Sequence, residues 1–153
     1  MKTKLLLNYV LAYLLWFILL ALGFLFGILG QNAFDAFLGT QTARNQTFQF
    51  GKTMIFLDRV FIFVIWLVWL VMMVLSEESL RRAARSGNLL KHFARFAGPL
   101  LILLFLSDGY LLSVAGFSSA GWLRWLILAS ELVLGIILTV FGQPFRKLKR
   151  VQP

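Results

Sequence analysis

The segment Leu5–Leu29 reads LLLNYVLAYLLWFILLALGFLFGIL and contains no charged residue. A helix needs about 20 mainly apolar residues, at about 1.5 Å each, to cross a hydrocarbon core of roughly 30 Å. The segment is also much longer than the roughly 7–15 apolar residues of a signal-peptide core. It therefore predicts a retained membrane-spanning helix.

Three further segments meet the same criterion of length and hydropathy. They run from about Met54 to Leu75, from about Pro99 to Phe117 and from about Trp122 to Phe141. None shows the alternation of a barrel strand. We therefore expect one domain over residues 1–153, an all-α integral membrane protein whose four transmembrane helices form an antiparallel up-down bundle.

The composition excludes several classes of function. Hydrophobic residues make up 60% of the chain and charged residues 14%, whereas a soluble domain has about 45–50% and about 25%. Because the chain has no cysteine and one histidine, His92, it lacks the ligands for iron–sulfur, cysteine–zinc or bis-histidine haem sites. No HExxH, P-loop or dinucleotide motif is present. We expect no enzymatic activity, cofactor or metal.

The net charge of +9 is explained by membrane topology. Of the 15 basic residues, 11 fall on one side of the predicted spans: Lys2, Lys4, Arg81, Arg82, Arg85, Lys91, Arg95, Arg146, Lys147, Lys149 and Arg150. Because Lys and Arg favour the cytoplasmic side, both termini are predicted inside. We expect no nucleic-acid partner, and a multi-pass location in a bacterial inner or plasma membrane.

The predicted connections differ in character. Residues 76–88, SEESLRRAARSGN, contain two i,i+4 acid–base pairs, which extend the second helix toward a stop at Ser86–Asn88. The apolar and basic residues of Leu89–Gly98 predict a short cytoplasmic amphipathic elbow, with Pro99 in the first turn of the third helix. The first outer connection, about Gly30 to Thr53, is expected to be a long loop.

Two helices carry stripes that favour packing against protein. Gly23 and Gly27 form a GxxxG motif, which allows close approach of a helix from this chain or another. The fourth span carries a small and polar stripe with spacings of 7, 4 and 7: Arg124, Glu131, Gly135 and Gly142. Arg124 also lies between two tryptophans typical of an outer aromatic belt.

Two acids are predicted near the bilayer midplane, Asp108 and Glu131, each about 9 residues from the ends of its span. An aspartate there costs about 2.5–3.5 kcal/mol, and the apolar residues of the third span contribute about 3–7 kcal/mol in favour of insertion. Asp108 is protonated, paired with Arg59 beside Asp58, or bound to a partner or cofactor. These four charged residues are the candidate polar cluster, serving packing, an ion or proton pathway, or a partner contact.

The features together favour a non-catalytic accessory subunit of a larger membrane complex, for example an energy-converting one. Its partners would be the lipid bilayer and other membrane subunits. The alternative is a small oligomeric transporter or channel that uses Asp108 and Glu131. A weaker alternative is a lipid- or quinone-binding membrane protein.

Overall fold

The computed structural model describes residues 2–44, 48–116 and 121–143. These residues form four helices: α1 (Lys2–Arg44), α2 (Phe48–Ser86), α3 (Leu89–Ala115) and α4 (Trp122–Gly142). Each helix is long and apolar enough to cross a membrane, which is consistent with a multi-pass integral membrane protein. The predicted end of the third span at Phe117 and the basic residues that follow Gln143 lie outside the described residues.

The helices form an open array rather than a closed bundle. In the described parts of the chain, α1 packs against α2 and α3, α2 also touches α3 to a smaller extent, and α4 contacts α3 alone. We call the end that holds the α2–α3 turn the Gly87 end, and the end where α4 begins the Gly121 end. Because α4 has a single neighbour, it lies at the edge of the array.

The buried core lies toward the Gly87 end, where three helices meet. Small and branched apolar side chains from α1, α2 and α3 fill it: Ala12, Leu15, Leu19, Leu80, Ala83, Ala84, Leu89, Ala97 and Leu100. The alanines shorten the distance between helix axes, as small residues do in membrane helix packing. Elsewhere many large apolar side chains are exposed, Leu6 at 68% among them, as expected where lipid is the solvent.

Hydrogen bonds between helices hold this core together. Asn8 Nδ2 donates to the Ala84 carbonyl over 3.2 Å, and Trp16 Nε1 donates to the Met73 carbonyl over 3.1 Å. Arg85 Nε donates to the Tyr9 hydroxyl over 2.9 Å. These bonds fix how far α1 and α2 can slide past each other.

The predicted extension of the second helix is confirmed, since α2 runs to Ser86. Both acid–base pairs form, Glu77 with Arg81 at 3.7 Å and Glu78 with Arg82. Gly87 then adopts a positive φ of 76°, and its N–H donates to the Ala83 carbonyl over 2.9 Å. This is the left-handed glycine stop that is common at helix C-termini.

The prediction of a long first outer loop was wrong. α1 continues to Arg44 and α2 begins at Phe48. The extension is held by packing, because the Phe34 and Phe61 rings stack at 4.0 Å and Leu38 is 7% exposed. Polar residues on the outer faces therefore do not interrupt the helices.

The cytoplasmic elbow is likewise not a separate element. α3 begins at Leu89 and continues through Pro99, so the proline lies in the helix interior rather than in the first turn. Ala94, Ala97 and Gly98 are buried. The contacts that these residues make with neighbouring helices compensate for the loss of the backbone hydrogen bond that proline cannot donate.

Candidate functional site

Asp108 forms an ion pair with Arg124. The Arg124 Nη2 atom lies 3.1 Å from Asp108 Oδ1, and the Asp108 side chain is 11% exposed whereas that of Arg124 is 45% exposed. Pairing with Arg59 was one of the three predicted alternatives for Asp108, and the structure gives Asp108 a different cation. Arg59 lies on α2, which makes few contacts with α3, whereas Arg124 lies on α4, which packs along α3.

The register between α3 and α4 explains this pairing. Gly142 lies opposite Arg95, and Gly98 lies opposite Thr139. The same antiparallel register places Asp108 about level with Ala129. The Arg124 backbone therefore lies about 7 Å from the level of Asp108, toward the Gly121 end. An extended arginine side chain covers that distance, so its guanidinium reaches down α4 to the carboxylate.

Glu131 lies at the same level as Asp108 on the neighbouring helix. Its carboxyl is close enough to Asp108 for the two charges to interact. The Glu131 Oε2 atom is buried and has no hydrogen-bond partner in the part of the chain that the structure describes. The structure thus brings together two of the predicted acids, with Arg124 as the cation beside them.

Gly135 and Gly142, the two small residues of the α4 stripe, lie against α3. A methyl group on Gly135 would lie 2.9 Å from Ile102 Cγ1, and one on Gly142 would lie 2.7 Å from the Arg95 backbone nitrogen. Gly98, which sequence reasoning missed, completes the contact from the α3 side. Gly98 precedes Asp108 by ten residues and lies about 80° from it around the helix, so the position of Asp108 did not indicate it.

Gly23 and Gly27 pack within the chain against α2. A methyl group on Gly23 would lie 2.7 Å from the Trp69 ring, and one on Gly27 would lie 3.2 Å from the Trp66 ring. The GxxxG motif therefore receives two indole rings rather than a bare helix backbone. Trp66 and Trp69 also contact each other edge to face at 5.7 Å.

Asp58 belongs to a second charged group, separate from Asp108. It lies in the interior of α2. The Asp35 carboxyl of α1 lies near Asp58, while Asp58 Oδ1 is buried and has no hydrogen-bond partner among the described residues. Sequence reasoning missed Asp35 because Gly30–Thr53 was expected to be a loop. On a continuous helix, Asp35 follows Gly27 by eight residues and shares its face.

Two grooves of substantial size lie along the helices. One, of about 660 Å³, is lined by α2 and begins at Asp58 and Arg59. The other, of about 370 Å³, lies between α1, α2 and α3 and is lined mainly by aromatic and aliphatic side chains, Phe34 and Phe61 among them. Among the residues that the structure describes, no group of three His, Cys, Asp or Glu side chains is placed to hold a metal ion.

No protein-family model, curated protein or solved structure matches this chain. Its class is accordingly given by its own geometry: four long apolar helices compatible with a multi-pass helical membrane protein. Two charged groups lie among these helices, Asp108–Arg124–Glu131 on α3 and α4, and Asp35–Asp58 on α1 and α2.

Proposed function

We propose that this chain is a non-catalytic accessory subunit of a larger membrane protein complex, such as an energy-converting one. The observation that carries the proposal is the edge position of α4. Within the described residues, this helix packs on α3 alone, yet it carries Arg124 and Glu131. Neither charged side chain is fully covered by the chain itself.

The physical reason is the cost of polar groups beside lipid. Polar and charged groups in a membrane interior are stabilised by pairing or by facing protein. A partner helix along α4 would cover the 45% of the Arg124 side chain that is exposed and would offer a donor to Glu131. It would also pack on exposed apolar side chains of α4 such as Leu134, which is 50% exposed.

Site-specific photo-crosslinking in native membranes tests this proposal. A photoreactive amino acid at Leu134 of α4 is expected to give one discrete polypeptide adduct. The same group at Phe17 of α1, which is 64% exposed, serves as the matched control and is expected to give lipid adducts. Extraction at native expression in mild detergent should recover the same partner. Recovery of only a monomer or homodimer, with lipid adducts at both positions, would refute the proposal.

A second candidate is a small oligomeric transporter or channel. The gathering of Asp108, Arg124 and Glu131 favours it, because ionisable residues inside membrane helices often mark ion or proton pathways. Four helices leave little room for a pathway, so copies of the chain would have to assemble around it. In reconstituted vesicles, Asp108→Asn and Glu131→Gln should then abolish flux and leave the oligomer intact. Flux equal to that of the unchanged protein would exclude this candidate.

A further inference from the structure

The groove along α2 has a charged end and an apolar body. Two adjacent rows of side chains at i,i+4 spacing line it: Asp58, Arg59, Ile62, Phe63, Trp66, Leu67 and Leu70. The two charged residues lie side by side toward the Gly121 end, and every other lining residue is apolar. We call this surface the α2 groove. Its volume of about 660 Å³ is in the range of small-molecule sites.

The length of the α2 groove matches one leaflet of a membrane. From Arg59 to Leu70 the helix rises about 16 Å, and half of a typical hydrocarbon core is about 15 Å. The predicted span from about Met54 to Leu75 places the Arg59 backbone about 7 Å inside the hydrocarbon core, a distance that an arginine side chain covers to reach the headgroup region. A tail that follows the groove to Leu70 would then extend past the bilayer centre. The apolar part of the groove is accessible to a lipid tail, since Phe63 is 67% exposed and Leu67 is 48% exposed.

The charges at the polar end are of both signs. Asp58 Oδ1 is buried and has no hydrogen-bond partner among residues 2–44, 48–116 and 121–143, and the Asp35 carboxyl lies near the same side chain. Arg59 has no ion-pair partner in the described parts of the chain. A carboxyl group next to a guanidinium in the groove complements a headgroup that carries both a cation and a phosphate, because guanidinium binds phosphate and carboxylates accept from ammonium.

We propose that the α2 groove binds one phospholipid of the phosphatidylethanolamine type. Arg59 holds the phosphate, Asp58 accepts a hydrogen bond from the primary ammonium, and an acyl chain lies along Phe63, Leu67 and Leu70. A choline headgroup has no N–H to donate, and a glycerol headgroup has no cation. The α2 groove therefore discriminates among lipids by headgroup chemistry. It lies on α2, whereas the proposed partner edge lies on α4, so either proposal can fail alone.

Lipid retention measured by native mass spectrometry tests the proposal. The full chain is reconstituted with equal amounts of phosphatidylethanolamine, phosphatidylcholine and phosphatidylglycerol. It is then released from the membrane mimetic, and the retained lipid is identified. We expect one phosphatidylethanolamine per chain, enriched roughly tenfold over the other two, because a hydrogen bond to a charged group is worth about that factor. Equal retention of the three lipids, or preference for phosphatidylglycerol, overturns the proposal.

Matched variants identify the groove as the place of binding. Asp58→Asn should abolish the preference for ethanolamine over choline, and Arg59→Gln should lower the retention of every phospholipid. Arg44→Gln removes an exposed arginine from the same end of the molecule and should change neither.

For the tail, Phe63→Ala should lower retention several-fold. Phe56→Ala, which removes a ring that is 65% exposed and lies outside the α2 groove, should leave retention unchanged.

Arg59→Lys keeps the positive charge and should retain more phospholipid than Arg59→Gln does. This comparison separates the loss of a contact from misfolding. Equal retention by groove and control variants, or a polypeptide adduct from a photoreactive group at Phe63, overturns the proposal.

Discussion

The close contact between α3 and α4 predicts a large difference between two glycine-to-alanine substitutions on the same helix. A methyl group at Gly98 would lie 2.5 Å from the Thr139 backbone nitrogen and 2.9 Å from its Cα atom. At Gly109 the nearest atom would be Leu128 Cδ1 at 3.9 Å, an ordinary van der Waals distance. Gly98→Ala therefore forces the two helices about 1 Å apart, whereas Gly109→Ala forces nothing to move.

The magnitude follows from overpacking. Inserting a methyl group where the neighbours cannot yield costs about 1–3 kcal/mol. The gain in helix propensity from glycine to alanine, about 1 kcal/mol, applies to both variants and cancels in their difference. Gly98→Ala should therefore be less stable than Gly109→Ala by about 1–3 kcal/mol.

Reversible unfolding in mixed micelles, monitored by circular dichroism as the loss of helix content, measures this difference. Adding Thr139→Ala to Gly98→Ala should restore little stability, because the backbone nitrogen of residue 139 stays in place. If the two glycine variants agree within about 0.5 kcal/mol, the normal error of additivity, then α3 and α4 do not approach as described.

Three further outcomes are expected. Arg124→Gln should lower the free energy of unfolding by about 1–3 kcal/mol because it leaves the Asp108 carboxylate buried without a cation. Adding Asp108→Asn should recover most of that loss, and equal stability of the single and double variants would contradict this pairing. Trp16→Phe should cost about 0.5–1.5 kcal/mol, the value of one hydrogen bond, as measured by the same unfolding assay. Because the chain has no cysteine, Gly87→Cys and Gly121→Cys each introduce a single thiol. The two thiols should react with a membrane-impermeant reagent from opposite membrane faces, and labelling of both from one face would exclude the predicted topology.

The number and type of the elements could be predicted from hydropathy. A helix surrounded by lipid needs a long apolar run whatever its neighbours are, so each run could be recognised without knowledge of tertiary contacts. The helix ends could not be predicted in this way. Residues 30–44 are helical because Phe34 stacks on Phe61, which lies 27 positions away in the sequence, and hydropathy carries no information about such a contact.

The candidate site was predicted in part for a related reason. Counting residues along the spans gave the levels of Asp108 and Glu131, which the register of α3 and α4 places side by side. It gave no information about which helices are neighbours. Arg59 was one of three alternatives for Asp108 because its side chain could reach that depth, although α2 contacts α3 only to a small extent. Arg124 was assigned to the aromatic belt, although its place on the stripe of Gly135 and Gly142 already directed it toward α3.

The open array has a consequence for the two charged groups. Asp108 obtains its cation from α4, which packs directly on α3. Asp35 and Asp58 lie on α1 and α2, and neither of these helices contacts α4 in the described parts of the chain, so Arg124 cannot serve both groups. The nearest basic residue in sequence to the second group is Arg59, which neighbours Asp58 and lines the same open groove. Asp108 therefore has a cation from within the helix array, whereas Asp35 and Asp58 lie beside a surface that a bound lipid can reach, and the primary ammonium proposed above would supply a positive charge there.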